Sequence, residues 1–252
     1  MLTNSYIHIQ GIGVATEKKI WKCGIRSWDE FKQNSGSTGL PESRIKALLQ
    51  GVNESQQRLK AKDHIFFAGA LPKNEHWRAY HAFRDQTLFL DIETTGLAPW
   101  NSKITLIGVH GGGKTRVFIR GIDLEEFEDV LDNCKTLVTF NGARFDLPFI
   151  KYHFPQITFD QLHIDLMSPL RRIGLKGGLK HIETMLGISR SDGTAGLSGF
   201  DAVRLWYQYQ RGSREALDTL IKYNIEDIQN LETIIDMVYP KLIENYTGRT
   251  QI

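Results

Sequence analysis

The chain has 252 residues, 41% of them hydrophobic and 24% charged, and a formal net charge of +2 at pH 7. This is the composition of an ordinary globular protein. No apolar stretch approaches the roughly 18 to 20 residues that span a bilayer, and the N-terminus lacks a signal peptide's basic start and apolar middle. We therefore expect a cytoplasmic protein with no membrane partner. Its only two cysteines, Cys23 and Cys134, lie far apart, which argues against a zinc site or a disulfide framework.

Charge is distributed unevenly along the chain. Residues 1–86 carry 13 Lys/Arg and 8 Asp/Glu, whereas residues 87–252 carry 18 and 21. A basic front segment on a slightly acidic body is compatible with nucleic-acid binding. A solvated basic surface with no ligand is the alternative.

The front segment contains two closely spaced glycines, Gly11 and Gly13, before short predicted helices near 16–24 and 27–31. Glycines allow positive φ and leave backbone N–H groups free to point at a phosphate oxygen. The stretch resembles a helix-hairpin-helix element, which grips the sugar-phosphate backbone without reading sequence. Gln10 stands where that element frequently has proline. A glycine turn without a ligand is the alternative.

A second predicted helix runs from Pro41 to about Leu59. The aromatic residues Trp77, Tyr80 and Phe83 then follow a roughly helical spacing. We expect this stripe to pack against the following domain, and a base-stacking surface is the alternative. We thus divide the chain into a helical, helix-hairpin-helix-like region, 1–86, and a second domain, 87–252.

From Leu88 onward the pattern indicates a mixed α/β domain. Apolar runs separated by turns predict a three-stranded meander and then two further strands, with helices between and after them. The predicted strands are 88–90, 103–110, 116–119, 136–140 and 161–165. The predicted helices include 123–132, 146–153 and a last one from about Ser213 to Val238, where Pro240 is expected to end it.

The first of these strands ends in two acids, Asp91 and Glu93. Side chains alternate along a strand, so both carboxylates emerge on one face while Ile92 points into the core. Two neighbouring carboxylates without a base repel each other, which usually implies a compensating cation. Oxygen ligands of this kind suit Mg²⁺ or Mn²⁺. A solvated acidic turn is the alternative.

Further polar residues fall at the ends of later elements. Asp146 lies near the start of a helix just past a strand's carboxyl end, where α/β folds often place function. Tyr223 and Asp227 are four residues apart, so they share one face of the last helix. Taken alone, Asp146 also fits a helix-capping role, and the pairing of Tyr223 with Asp227 also fits chance.

Together the motifs D-x-E, N-x₃-F-D and Y-x₃-D resemble those of the DEDD 3′–5′ exonucleases, in the tyrosine (DEDDy) subfamily of the ribonuclease H-like superfamily. The resemblance covers roughly 87–239. Within that superfamily, the chain is similar to the prokaryotic group of exonucleases that carries a helix-hairpin-helix-like region in front. It implies an α/β fold with a ribonuclease H-like mixed five-stranded sheet flanked by helices.

The resemblance also implies a reaction. Nucleoside 5′-monophosphates would be released from a 3′ end by two-metal hydrolysis. Two divalent cations, Mg²⁺ or Mn²⁺, would be held by four acids, and Tyr223 would orient or deprotonate the attacking water. The acids are Asp91, Glu93, Asp146 and Asp227. The substrate contacts would be Thr94, Leu97, Asn141 and Phe145, with further phosphate contacts at Gly11, Gly13, Arg171 and Lys176.

The expected partner is nucleic acid, single-stranded or at its 3′ end. DNA is favoured over RNA because helix-hairpin-helix elements commonly grip DNA, although the same type of domain also trims RNA. Two other functions stay open. One is a catalytically idle binding or scaffold module, and the other is a structure-specific endonuclease using the same metal site.

Overall fold

The computed structural model describes residues 1–248. Within this range no helix combines the length and the apolar character needed to cross a membrane. The predicted mixed sheet flanked by helices, with a helical region in front, is confirmed. The fold is that of the ribonuclease H-like α/β class.

The sheet has five strands in the order β3-β2-β1-β4-β5. The first three form the predicted antiparallel meander, and β4 and β5 are added in parallel on the other side of β1. The strands are β1 Thr87–Thr94, β2 Ile104–Gly111, β3 Lys114–Ile119, β4 Thr136–Thr139 and β5 Leu162–Asp165. Because β1 is central and buried, its carboxyl end projects polar side chains at the middle of the sheet edge.

Nine α-helices surround the sheet in the described part of the chain. Four precede it: α1 Val14–Lys22, α2 Trp28–Asn34, α3 Glu42–Lys60 and α4 His64–Ala70. Five lie within or after it: α5 Asp146–His153, α6 Met167–Arg172, α7 Leu179–Leu186, α8 Gly199–Gln210 and α9 Arg214–Thr247. The predicted helix at 123–132 is a 3₁₀ helix, Leu124–Leu131.

The prediction that Pro240 ends the last helix is wrong. Pro240 lies inside α9, which continues to Thr247. An interior proline loses one backbone hydrogen bond and costs about 3 kcal/mol. Here the helix continues because Leu242 and Ile243, one turn further on, are buried in the core. Burial of such side chains contributes about 1.5–3 kcal/mol each, enough to offset the proline.

The front segment packs against α9 through the predicted aromatic stripe. Trp77 and Tyr80 share a hydrophobic cluster with Tyr239, and the Trp77 and Tyr239 rings meet edge to face at 6.0 Å. Phe83 instead joins the front segment's own core. The expected packing is therefore confirmed for Trp77 and Tyr80.

Charged side chains reinforce this interface. Arg78 is fully buried and bonds both oxygens of Glu17 on α1 at 2.9 Å. Its Nε donates to Glu75 at 2.7 Å, and Arg172 on α6 reaches the other oxygen of Glu75 at 2.6 Å. Tyr246 on α9 also donates to Glu75. The bonds from Arg172 and Tyr246 to Glu75 join the front segment to α6 and α9, whereas those of Arg78 lie within the front segment. The division at residue 86 stays a prediction.

The glycine turn lies in front of α1. Gly11 has φ +77°, and Gly13 is the N-cap residue of α1. The segment before the turn contains a 3₁₀ helix, Leu2–Asn4, while 23–27 joins α1 to α2. The turn thus connects the irregular segment that follows this 3₁₀ helix to α1. The helix-hairpin-helix resemblance stays a prediction.

Candidate active site

Three of the predicted acids meet at the carboxyl end of β1. One carboxylate oxygen each from Asp91, Glu93 and Asp227 lies within 4.8 Å of the others. Asp91 and Glu93 reach this point because they alternate along β1 with the buried Ile92. Asp227 reaches it from α9, which crosses the sheet at β1 and β2. The three acids form a compact set of oxygen ligands.

The fourth acid, Asp146, approaches from the other side of β1. It begins α5 just beyond β4, is 3% exposed, and accepts a hydrogen bond from the Ile92 N–H at 3.1 Å. This bond places Asp146 against the backbone between Asp91 and Glu93. Asp146 is not one of the three acids whose oxygens lie within 4.8 Å of one another.

The turn that leads to Asp146 is held by Asp165 at the end of β5. Its two oxygens accept from the backbone N–H groups of Asn141, at 2.8 Å, and Ala143, at 3.2 Å. Asn141 itself has φ +63°. Asp165 thus stabilises the turn, and Asn141 contributes its backbone there.

Helix α9 carries two further contributors beside Asp227. Tyr223 lies one helical turn earlier, as predicted, and is 5% exposed. Asn224 donates to Asp91 Oδ2 at 3.0 Å. Asn224 fits only because residue 108, which pairs with Asp91 across β1 and β2, is glycine, and a Cβ there would collide with Asn224. The close approach of α9 to β2 therefore determines where Asp91 lies.

The carboxyl groups raise one another's pKa values. Burial, together with the negative charge of Asp227, raises the pKa of both Asp91 and Glu93 well above their usual ranges. Burial raises the pKa of Asp146 to about 7, and that of Asp227 to about 6 despite a neighbouring arginine. Four acids that are costly to ionise together are the expected environment of a bound cation.

The donor set fits hard divalent cations. The acid cluster, defined here as Asp91, Glu93, Asp146 and Asp227, offers only carboxylate oxygens, which suit Mg²⁺ and Mn²⁺ better than softer metals. The described residues place no cysteine or histidine in the group within 4.8 Å. The residues present thus fit the divalent metals expected from the sequence.

One arginine already pairs with the cluster. Arg190, whose side chain is 6% exposed, forms an ion pair with Asp227. The same guanidinium binds Glu183 on α7 through two bonds, from Nε at 2.7 Å and from Nη2 at 2.6 Å. Asn230 also donates to Glu183. Arg190 therefore connects α7 to the acid cluster.

A lysine contacts the predicted catalytic tyrosine. Lys180 Nζ lies 2.7 Å from the Tyr223 hydroxyl and 4.2 Å from the centre of its ring. An ammonium can only donate, so the tyrosine oxygen accepts and its own proton remains available to another acceptor. Burial and the nearby carboxylates raise the pKa of Tyr223. The phenol is therefore protonated at neutral pH.

Glu183, Arg190 and Asn224 were missed as site residues in the sequence. Asn224 adjoins Tyr223 and could have been found from that position. Glu183 and Arg190 lie about forty residues before Asp227, and only the packing of α7 on α9 brings them to it. Glu226, next to Asp227 on α9, accepts hydrogen bonds from Ser191 and Thr194 in the loop between α7 and α8.

The predicted substrate contacts have mixed surroundings. Leu97 is 87% exposed beyond β1, whereas Thr94 is buried and donates to the Gly96 carbonyl at 2.6 Å. Phe145 is partly buried, and its ring packs at a tilt against that of Phe149, with the ring centres 5.0 Å apart. Leu97 is thus the most accessible of this set, while Thr94 and Phe145 are largely occupied by internal packing.

The predicted phosphate contacts are exposed but separated along the chain. Arg171 and Lys176 lie on the surface at and after the end of α6. Gly11 and Gly13 are exposed in front of α1. A phosphate role for these four residues stays a prediction.

Comparisons with known proteins place this site in a known fold. A family model described as the RNase_H superfamily matches residues 88–239, from the beginning of β1 to the middle of α9. No curated protein sequence matches the chain significantly.

Two solved structures align with the chain. A family B DNA polymerase from the hyperthermophilic archaeon Pyrobaculum calidifontis aligns with a TM-score of 0.50 at 14% identity. The match covers 65% of this chain and 27% of the polymerase, so the chain spans about a quarter of that protein. The apo form of a nuclease aligns with a TM-score of 0.45 at 18% identity, over 71% of this chain and 83% of that one.

The matched residues contain the whole acid cluster as well as the sheet, so the family assignment and the site geometry concern the same part of the molecule. The chain belongs to the RNase H superfamily.

Proposed function

We propose that this chain is a metal-dependent 3′–5′ exonuclease of the DEDDy type. The observation that carries the proposal is the meeting of Asp91, Glu93 and Asp227 within 4.8 Å, with Tyr223 one turn before Asp227 on the same helix. Membership in the RNase H superfamily supports a nuclease. The tyrosine motif supports the finer assignment.

Two divalent cations, Mg²⁺ or Mn²⁺, held by the four acids would supply charge stabilisation for the attacking and leaving oxygens. The protein's own contribution is to fix the carboxylates in advance. Asn224 holds Asp91, the Ile92 N–H holds Asp146, and Arg190 holds Asp227. Ligands fixed in this way lose little conformational freedom when a metal binds.

Tyr223 orients the attacking water by donating a hydrogen bond from its hydroxyl group. Its raised pKa opposes a role as a base, and Lys180 occupies its oxygen as a donor. Leu97, exposed just beyond the acids, receives the terminal nucleotide. Each cycle releases a nucleoside 5′-monophosphate.

DNA is the favoured substrate and RNA the alternative. The support is the basic character of residues 1–86 and the exposed glycine turn in front of α1. In this proposal the front region binds the nucleic-acid backbone while residues 87–252 cleave it.

End-labelled single- and double-stranded DNA and RNA, incubated with Mg²⁺ or Mn²⁺, test the proposal. We expect a ladder of single-nucleotide steps from the 3′ end that Asp146→Ala abolishes. Internal fragments instead would identify an endonuclease. A wild-type protein that shifts DNA on a gel but cleaves nothing with any metal would refute the proposal and leave a binding module.

Tyr223→Phe separates the role of the hydroxyl from that of the ring. The variant keeps the aromatic packing but loses the donor, and general acid–base or orienting groups contribute about 10²–10⁴-fold. We expect kcat to fall within that range while Mn²⁺ binding, measured by calorimetry, stays unchanged. The conservative control Tyr209→Phe, on α8, should retain full activity.

A further inference from the structure

The side chain of Arg190 has one part that internal contacts leave unused. Its Nε and Nη2 bond to Glu183 and Asp227, but Nη1 is buried and has no hydrogen-bond partner within residues 1–248. The ring of Tyr223 lies beside the guanidinium, with its centre 5.5 Å from the guanidinium carbon, but the Tyr223 hydroxyl does not accept a hydrogen bond from Nη1. Leaving a buried charged donor unpaired costs free energy, so an acceptor is expected from outside the chain.

The geometry of a guanidinium fixes the direction of this free donor. Its five N–H bonds form a rigid planar fork. Glu183 binds the edge formed by Nε and Nη2, and Asp227 accepts from the remaining hydrogen of Nη2, which lies parallel to one N–H of Nη1. The free Nη1 therefore faces the same side as Asp227, which is the side of the acid cluster.

The surroundings select the type of ligand. Glu183 is 2% exposed and holds Arg190 through two bonds, so the guanidinium cannot swing away to solvent. Lys180, on the same helix as Glu183, presents a second cation beside Tyr223. Two cations next to oxygen ligands for divalent metals form a suitable environment for an anionic oxygen, and a guanidinium binds phosphate oxygens well.

We infer that Arg190 is a phosphate-binding residue of this site, held in position by Glu183, whose free Nη1 donates to a non-bridging oxygen of the nucleotide bound at the acid cluster. The inference rests on the proposed function, because it takes a nucleotide phosphate as the ligand. It assigns Arg190 two tasks. One edge of its guanidinium fixes Asp227, and the adjacent N–H binds substrate or product.

Calorimetry on the full chain tests this inference in two titrations, first with Mn²⁺ alone and then with thymidine 5′-monophosphate at saturating Mn²⁺. Arg190→Met should bind Mn²⁺ as tightly as the wild type or more tightly, because a competing cation has been removed. Its affinity for the nucleotide should fall at least about tenfold, the size of a lost hydrogen bond to a charged group. Arg190→Lys should show a similar loss, since an ammonium cannot span Glu183, Asp227 and a phosphate together.

The matched control is Arg204→Met on α8, which removes an exposed arginine paired with Asp201 and should change neither titration. If Arg190→Met unfolds, as judged by circular dichroism, Glu183→Gln replaces it. That variant keeps Arg190 but removes the carboxylate that holds it, and nucleotide affinity should fall about threefold or more.

Two results would overturn the inference. One is an unchanged nucleotide affinity in Arg190→Met and Arg190→Lys. The other is an equal loss of Mn²⁺ and nucleotide affinity, which would leave Arg190 as a positioning residue for Asp227 alone. Failure of the proposed function looks different, because wild-type protein would then cleave no labelled DNA or RNA whatever Arg190 does in the titrations.

Discussion

Two groups of buried charges in this molecule differ in their balance. In the group called the interface group here, Arg78 binds Glu17 and Glu75 within the front segment, and Arg172 of the body also binds Glu75, so positive and negative charges are equal in number. The acid cluster and Glu183 together supply five carboxylates. Within residues 1–248 these face only two cations, Arg190 and Lys180.

The difference separates structure from function. A group with balanced charges has no net charge that calls for a cation, although Arg78 Nη2 has no hydrogen-bond partner within residues 1–248, so its bonds serve to connect parts of the chain. An excess of buried carboxylates is costly to ionise and is retained where a cation compensates it. The interface group is therefore expected to contribute stability whatever the metal concentration, and the acid cluster only when metal is bound.

The largest effect on stability is expected from breaking the balanced group. Arg78→Met leaves Glu17 buried without its partner, which costs about 3–5 kcal/mol for a buried ion pair. Urea unfolding followed by circular dichroism measures the change. The control Arg58→Met removes an arginine from exposed pairs with Glu54 and Asp63 and should lower the free energy of unfolding far less than Arg78→Met does. Equal effects of the two variants would show that the interface group is not structural.

The acid cluster should respond to pH in the absence of metal. The folded pKa is about 7 for Asp146 and about 6 for Asp227, both above their unfolded values near 4. The folded protein thus binds more protons in this window, and the free energy of unfolding decreases as pH rises from about 4 to 7.

We therefore expect the melting temperature in EDTA to be higher at pH 5 than at pH 8 by about 5 °C or more. A change of 1 kcal/mol moves it by about 2–4 °C in a chain of this size. Asp146→Asn should reduce the difference. A melting temperature that rises from pH 5 to pH 8 would contradict the raised pKa values.

Divalent metal should reverse this instability. A ligand at 100 times its Kd stabilises the folded state by about 2.7 kcal/mol. Saturating Mn²⁺ at pH 8 should therefore raise the melting temperature measured by scanning calorimetry, and Asp91→Asn should remove most of the shift. Arg78→Met is the matched control, because it should lower the melting temperature measured without metal but leave the rise caused by Mn²⁺ unchanged. The absence of any shift in the wild type would count against the metal site.

The smallest effect concerns the packing that positions Asp91. Gly108→Ala introduces a methyl group that collides with Asn224, and overpacking of this kind costs about 1–3 kcal/mol. Gly69→Ala is the control, because its Cβ would meet nothing within 4 Å. If both variants unfold at the same urea concentration, the close approach of α9 to β2 is less rigid than the structure indicates.

The sequence was sufficient to predict most of the fold. Strands of β-branched and aromatic residues, separated by glycine turns, predicted the five strands of the observed sheet. The predicted end of α9 is wrong because the local cost of Pro240 is visible in the sequence, whereas the burial that offsets this cost is not. The burial of Leu242 and Ile243 that offsets this cost depends on partners in other elements, from Trp77 in the front segment to Ile182 on α7.

The sequence by itself determined which side chains share a face at the proposed metal site, because the alternation along β1 and the four-residue repeat of α9 orient Asp91, Glu93, Tyr223 and Asp227 locally. Only the tertiary structure decided how these residues are charged and held. Arg190, Glu183, Lys180 and Asn224 act across contacts between different elements, and no local periodicity encodes such contacts. The electrostatics of the acid cluster, and the free donor of Arg190 beside it, follow from the packing of α7 and α9 against the sheet.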